Sequence, residues 1–149
     1  MGILGKLKDA ARFVTGGAAK VRVFPAEKYS NGNEPIKFKI EVDVKDKEIN
    51  FNYIYLKVKS IEKIQAKDKE DNEYITNTSH EYSDEFKVVA GGTLDAETSA
   101  TYDIEIQLPT NLNGSYYGTN ASHIYYIQAG VDMPGNDPDS GWQEIQVYF

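Results

Sequence analysis

From Ile36 to Val44 the chain alternates apolar and charged residues without a break: Ile36, Phe38, Ile40, Val42 and Val44 against Lys37, Lys39, Glu41 and Asp43. A backbone whose side chains change face at every residue gathers all five apolar groups on one side. The segment is therefore a strand with one face in a core and one in water. The same period runs through Ala100, Tyr102, Ile104, Ile106 and Leu108, where Pro109 ends it. Val21 and Val23 open a shorter strand that stops at Pro25, and Ser30-Asn31-Gly32-Asn33 is a turn signal. Residues 82–89, closed by Gly91-Gly92, and residues 124–131 and 142–149 supply three more strands.

Residues 49–61 are equally strand-like, yet their apolar set changes phase near Tyr53, from Ile49 and Phe51 to Ile54, Leu56 and Val58. A β-bulge or a change of sheet explains such a shift. Residues 65–72 form a charged connector, expected as an exposed hairpin tip or loop. The polar stretch 110–122 is a further connection. About seven strands, separated by turn signals with no helical pattern between them, predict an all-β antiparallel sandwich over residues 17–149.

Composition narrows what such a sandwich does. At 149 residues there is room for one domain. A net charge of −7 speaks against a nucleic-acid partner, which needs a concentrated basic face. The absence of cysteine removes disulfides, thiolate zinc sites, iron–sulfur clusters and thiol nucleophiles. No apolar run approaches the roughly 18 residues of a spanning helix. Met1-Gly2-Ile3-Leu4-Gly5-Lys6 lacks a secretory pattern, and Lys6 stands where a myristoylation signal needs Ser or Thr, so the expected location is cytoplasmic.

Residues 1–16 read differently. Ile3, Leu4, Leu7, Ala11 and Val14 recur at helical spacing opposite Lys6, Lys8, Asp9 and Arg12, the pattern of a short amphipathic helix stopped by Gly16-Gly17. Its apolar stripe, Ile3, Leu4, Leu7 and Val14, is either packed on the end of the sandwich or offered to a partner protein, and its basic side suits peripheral contact with an anionic membrane.

The catalytic inventory is thin. Two histidines, His80 and His123, are too small a stock for a histidine metal site or a Ser-His-Asp triad, and no nucleophile elbow, P-loop or dinucleotide fingerprint is present. Hard oxygen ligands concentrate in residues 132–141. Asp132, Asp137 and Asp139 there are a candidate calcium site, with ordinary Asx-turn chemistry as the competing reading. Tyr116 and Tyr117, in a loop, are candidates for stacking on a sugar.

Read in order, Gly17-Ala18-Ala19-Lys20-Val21, then Glu34-Pro35 through Phe38-Lys39-Ile40, then Ile54-Tyr55-Leu56-Lys57-Val58 resemble the bacterial sporulation-control protein family of arrestin-like domains. The run Tyr102-Asp103-Ile104-Glu105-Ile106-Gln107-Leu108-Pro109 resembles the arrestin strand that closes in Leu-Pro, and residues 124–132 and 137–147 resemble the family's last two strands and their acidic connection. The resemblance implies an immunoglobulin-like, arrestin-like sandwich that serves as a non-catalytic scaffold or adaptor for protein partners, without a cofactor. Members usually carry two such sandwiches, and this chain has the length of one. A carbohydrate-binding module with a weak calcium site, and a structural subunit that self-associates through edge strands, are the alternative expectations.

Overall fold

The computed structural model describes residues 17–149 except residue 71; the amphipathic segment 1–16, with Ile3, Leu4, Leu7 and Val14, lies outside the described residues. The described chain folds into strands β1 (Ala19–Pro25), β2 (Tyr29–Asn31), β3 (Ile36–Val44), β4 (Ile49–Lys67), β5 (Tyr74–Leu94), β6 (Ser99–Ile106), β7 (Tyr116–Tyr117), β8 (Ala121–Asp132) and β9 (Gln143–Tyr148), with no helix among the described residues. A three-stranded sheet has the order β1-β3-β6, and a six-stranded sheet has the order β2-β9-β8-β4-β5, with β7 hydrogen-bonded to the start of β8. The two sheets form a sandwich. Its core lies between the inner faces, where Val21, Ile40 and Val42 of the small sheet and Ile54, Leu56, Val58, Ile127 and Val131 of the large one are fully buried. Each such side chain contributes about 1.5–3 kcal/mol by leaving water.

Nine strands replace the seven expected, because β2 and β7 are three and two residues long and carry no period to read. One of them also breaks the antiparallel expectation. β2 pairs in parallel with β9, Tyr29 beside Gln146 and Asn31 beside Tyr148. The phase change in β4 is real: Phe51 and Ile54 are both buried although three residues apart. Up to Asn52 this strand pairs only with β5, and from Tyr53 onward it pairs with β8 as well. The ladder to β5 slips beside this point, where Tyr55 faces Lys87 and Ile54 faces Val89, leaving Val88 as the extra residue of a bulge. A second slip at Ser60 and Ile61 leaves Glu81 unopposed.

The connector expected over 65–72 is shorter, because β4 runs to Lys67 and β5 begins at Tyr74, well before the strand start expected at residue 82. Only the tip between them is a turn. It is held by the Asp68 amide donating to the Glu73 carbonyl at 2.7 Å and by the Glu70 amide donating to Asp68 Oδ1 at 2.9 Å. Nor do Gly91 and Gly92 end β5, which continues to Leu94. They are sites of close approach: a Cβ on Gly91 would lie 3.0 Å from the carbonyl oxygens of Phe51 and Asn52, and one on Gly92 would press on the Phe51 ring.

A second close approach fixes the outer face of the large sheet. The Tyr55 ring occupies the space that a side chain on Gly130, its cross-strand partner, would need. Gly130→Ala is therefore expected to lower the free energy of unfolding by about 1–3 kcal/mol through overpacking. Urea denaturation of the two proteins checks this, and an unchanged midpoint would mean the ring swings away freely.

Candidate functional site

The outer face of the three-stranded sheet is mostly charged, as the alternation requires, with one exception. Phe24 sits at an outward position of β1, 43% exposed, in the row Phe24, Lys39, Asp103 across the three strands. Beyond it Pro25 ends the strand, and the Ala26 amide donates to the Lys37 carbonyl at 2.9 Å. The result is a groove of about 740 Å³ in which the exposed Phe24 ring and Pro25 are the apolar lining and Lys37, Lys39, Glu41 and Asp103 stand around them, while Phe38 and Ile104, which border it, turn their side chains to the core. Neighbouring charges hold the rim in place. One Arg22 guanidinium nitrogen lies 2.6 Å from Asp43 and 3.0 Å from Glu41, Ser99 donates to the other Asp43 oxygen at 2.6 Å, and Lys37 stands 3.6 Å from Glu105. Surface and half-buried pairs of this kind are worth about 0.2–1 kcal/mol each. They order the surface more than they stabilise the fold.

The outer face of the six-stranded sheet carries a different chemistry. Lys59 Nζ lies 3.9 Å from the centroid of the Trp142 ring and 5.7 Å from that of Tyr126. Lys57 lies 4.9 Å from Tyr55, and Lys87 lies 4.6 Å from Tyr53. All are within the roughly 6 Å over which a ring face attracts a cation. Neither this face nor the groove was found from sequence. The signal for the groove was nevertheless present: Phe24 is the one large apolar residue in the polar phase set by Lys20 and Arg22.

The three carboxylates singled out as calcium ligands do not gather on a common point. Asp139 Oδ1 accepts from the Gly141 amide at 2.7 Å, Asp137 Oδ1 accepts from the Met133 amide at 3.2 Å, and Asp132 Oδ2 accepts from the Asn52 side chain at 2.9 Å. Gly135 and Gly141 take positive φ. This is Asx-turn chemistry that folds the loop back on β8, where Val131 donates to the Pro138 carbonyl and Ser140 to that of Ala129. Among the described residues no three His, Cys, Asp or Glu side chains are placed to hold a metal ion.

Tyr116 and Tyr117 are consecutive residues of β7 and so point to opposite faces, both exposed, so a sugar would stack on one ring at a time. Tyr116 donates to Glu62 at 3.3 Å and stands 6.1 Å from the His123 ring. His123 is buried, its Nδ1 3.0 Å from the Gly114 carbonyl, whereas His80 is exposed on β5.

No protein-family model matches the sequence, and no curated protein matches it either. Among solved structures, the crystal structure of Spo0M, a sporulation control protein from Bacillus subtilis, matches 89% of this chain with a TM-score of 0.66 and 17% sequence identity. The two share a fold. This chain spans 50% of the length of Spo0M, so the likeness is to one half of it. The sequence resemblance to the sporulation-control family and the structural match to Spo0M thus point to the same sandwich.

Three tyrosines report on this architecture. Burial, reinforced by the field of Asp137 and Asp139, raises the Tyr55 hydroxyl above the ordinary tyrosine value. Burial also pushes Tyr82, next to Asp84, and Tyr125 up to about 12 each. Tyr125 donates to the Asn113 carbonyl at 2.5 Å, a bond that requires the neutral phenol. With pKa values higher folded than unfolded, these groups stabilise the native state below about pH 10 and lose that contribution as the pH rises toward 12. The urea midpoint is expected to stay level up to about pH 10 and to fall above it. Tyr82→Phe should reduce the fall, and an equal fall in that variant would exclude Tyr82 as a source.

Proposed function

We propose that the chain is a non-catalytic, cytoplasmic interaction module of the arrestin-like, immunoglobulin-like kind, which docks a protein partner in the groove beside Phe24. The observation that carries this reading is the groove itself: an exposed aromatic ring beside Pro25, framed by both signs of charge, on a face whose other outward residues are polar. Aromatic anchors in a polar rim are where interface energy concentrates. An extended segment with one apolar side chain against Phe24 and flanking charges against Lys39 and Asp103 fits this shape. The shared fold with a sporulation control protein fits a regulatory scaffold, and the absence of catalysis and of a cofactor is part of the proposal.

The apolar residues Ile3, Leu4, Leu7 and Val14 remain, on sequence grounds, a second proposed contact for the same partner, and the basic residues among them a proposed peripheral membrane contact. The carbohydrate reading remains the alternative, with either exposed ring, Tyr116 or Tyr117, as its proposed stacking surface.

The test is affinity capture from the native lysate with the full chain, with Phe24→Glu, with Lys39→Glu and with residues 1–16 removed, each first shown to keep its far-ultraviolet dichroism. A partner whose recovery falls at least tenfold with Phe24→Glu is the expected result. Equal recovery by the wild-type chain and both groove variants would place the contact elsewhere.

A further inference from the structure

Each sheet has two edges, and three of the four are guarded. β1 carries Lys20 and Arg22 and ends in Pro25, β6 carries Asp103 and Glu105, and β2 is three residues long. Charge, proline and brevity are the usual means of keeping an edge from recruiting another strand. The fourth edge is β5, which ends the order of the six-stranded sheet and is 21 residues long. Its first seven residues, Tyr74-Ile75-Thr76-Asn77-Thr78-Ser79-His80, contain no Lys, Arg, Asp, Glu or Pro. They are paired to β4 on one side only and are exposed throughout, with Tyr74 63% and Ile75 59% exposed. Strand-favouring composition, low charge and an open row of backbone donors and acceptors define a segment that adds strands.

We propose that residues 74–80 pair antiparallel with the same residues of a second copy of this chain, about a two-fold axis at Asn77, so that two six-stranded sheets become one continuous sheet. The choice of a second copy rests on charge. Centred on Asn77, the pairing sets Thr76 against Thr78, Ile75 against Ser79 and Tyr74 against His80, and no charged residue meets another within the seven. Opposed Thr pairs are favourable across strands. The next pair would be Glu73 against Glu81, so like charges stop the ladder at both ends. Glu81 is also the extra residue of the second β5 bulge, where the ladder is already irregular. An acidic chain of net charge −7 gains most by associating where it carries no charge. The two-fold arrangement also consumes the β5 edge of both copies, leaving only the short β2 edges at the ends of the joined sheet. This surface is separate from the groove at Phe24, so the inference stands or falls independently of the partner reading.

The test is sedimentation equilibrium of the full chain at about 0.15 M salt, where long-range repulsion is screened beyond roughly 8 Å. The wild-type mass should rise with concentration from 16.7 kDa toward twice that value. Thr76→Lys with Thr78→Lys opposes like charges in both flanking pairs and should weaken association at least tenfold. Thr76→Glu with Thr78→Lys, at the same exposed positions, opposes unlike charges and should retain or tighten it. That contrast separates a register-specific pairing from loss of fold. As a second measurement, Asn77→Cys in this cysteine-free chain should form a disulfide-linked dimer on mild oxidation, because opposed Cα atoms about 4.5–5.5 Å apart lie within disulfide reach. Thr101→Cys on the β6 edge should not. A wild-type chain that stays monomeric at the highest concentration, equal weakening by the two double variants, or equal cross-linking at positions 77 and 101 would overturn the proposal.

Discussion

The structure depends on β4 being hydrogen-bonded on both sides. From Tyr53 to Ile64 it pairs with β5 along one edge and β8 along the other, which makes it an interior strand of the larger sheet. Its inward residues Ile54, Leu56 and Val58 are almost wholly buried against the smaller sheet, and its outward residues carry the lysine and tyrosine contacts. The bulge at Val88 is what lets one strand satisfy both neighbours, because it restores the facing of β5 where the apolar phase of β4 changes. The projecting hairpin and the outer face of the larger sheet both follow from that alternation.

The hairpin extends beyond what the sandwich covers. Burial along β4 ends near Ser60, and residues 63–67 and 74–81 have no opposing sheet, so that part of the ladder is held mainly by backbone pairing and turn chemistry, with one side-chain bond from Gln65 to Thr76. Such segments sit at the low end of local stability. The groove at Phe24 differs in this respect: it lies on strands whose other faces are locked in the core, which keeps its apolar lining pre-formed.

Legibility followed burial. β3 was readable from end to end because one of its faces is in the core and the other in water, and the same holds for β6, β8 and the phase shift in β4. The first half of β5 was not, because both its faces are wet and no apolar residue needs to recur. β2 and β7 were missed for their shortness. The parallel pairing of β2 with β9 joins residues more than a hundred positions apart, a distance over which local pattern carries nothing. For the candidate sites, the Asx-turn reading of residues 132–141 was available from Asp-Pro-Asp-Ser-Gly itself. The placement of Tyr116 and Tyr117 on opposite faces needed β7 to be recognised as a strand.

The parallel pairing has a consequence for how the chain comes to be folded. The amide of Gly32 donates to the Tyr148 carbonyl at 2.6 Å, the Ser115 amide donates to that of Val147 at 2.6 Å, and the Val147 amide donates to the Ser115 hydroxyl. Two segments that precede it in the chain, one by more than a hundred residues, are thus tied to the last strand of this sandwich. While residues 143–148 are still inside the ribosome, β8 shows an open edge and residues 29–31 have no ladder to join. The sandwich closes only once β9 has joined both partners, so a chain lacking it presents an open β8 edge.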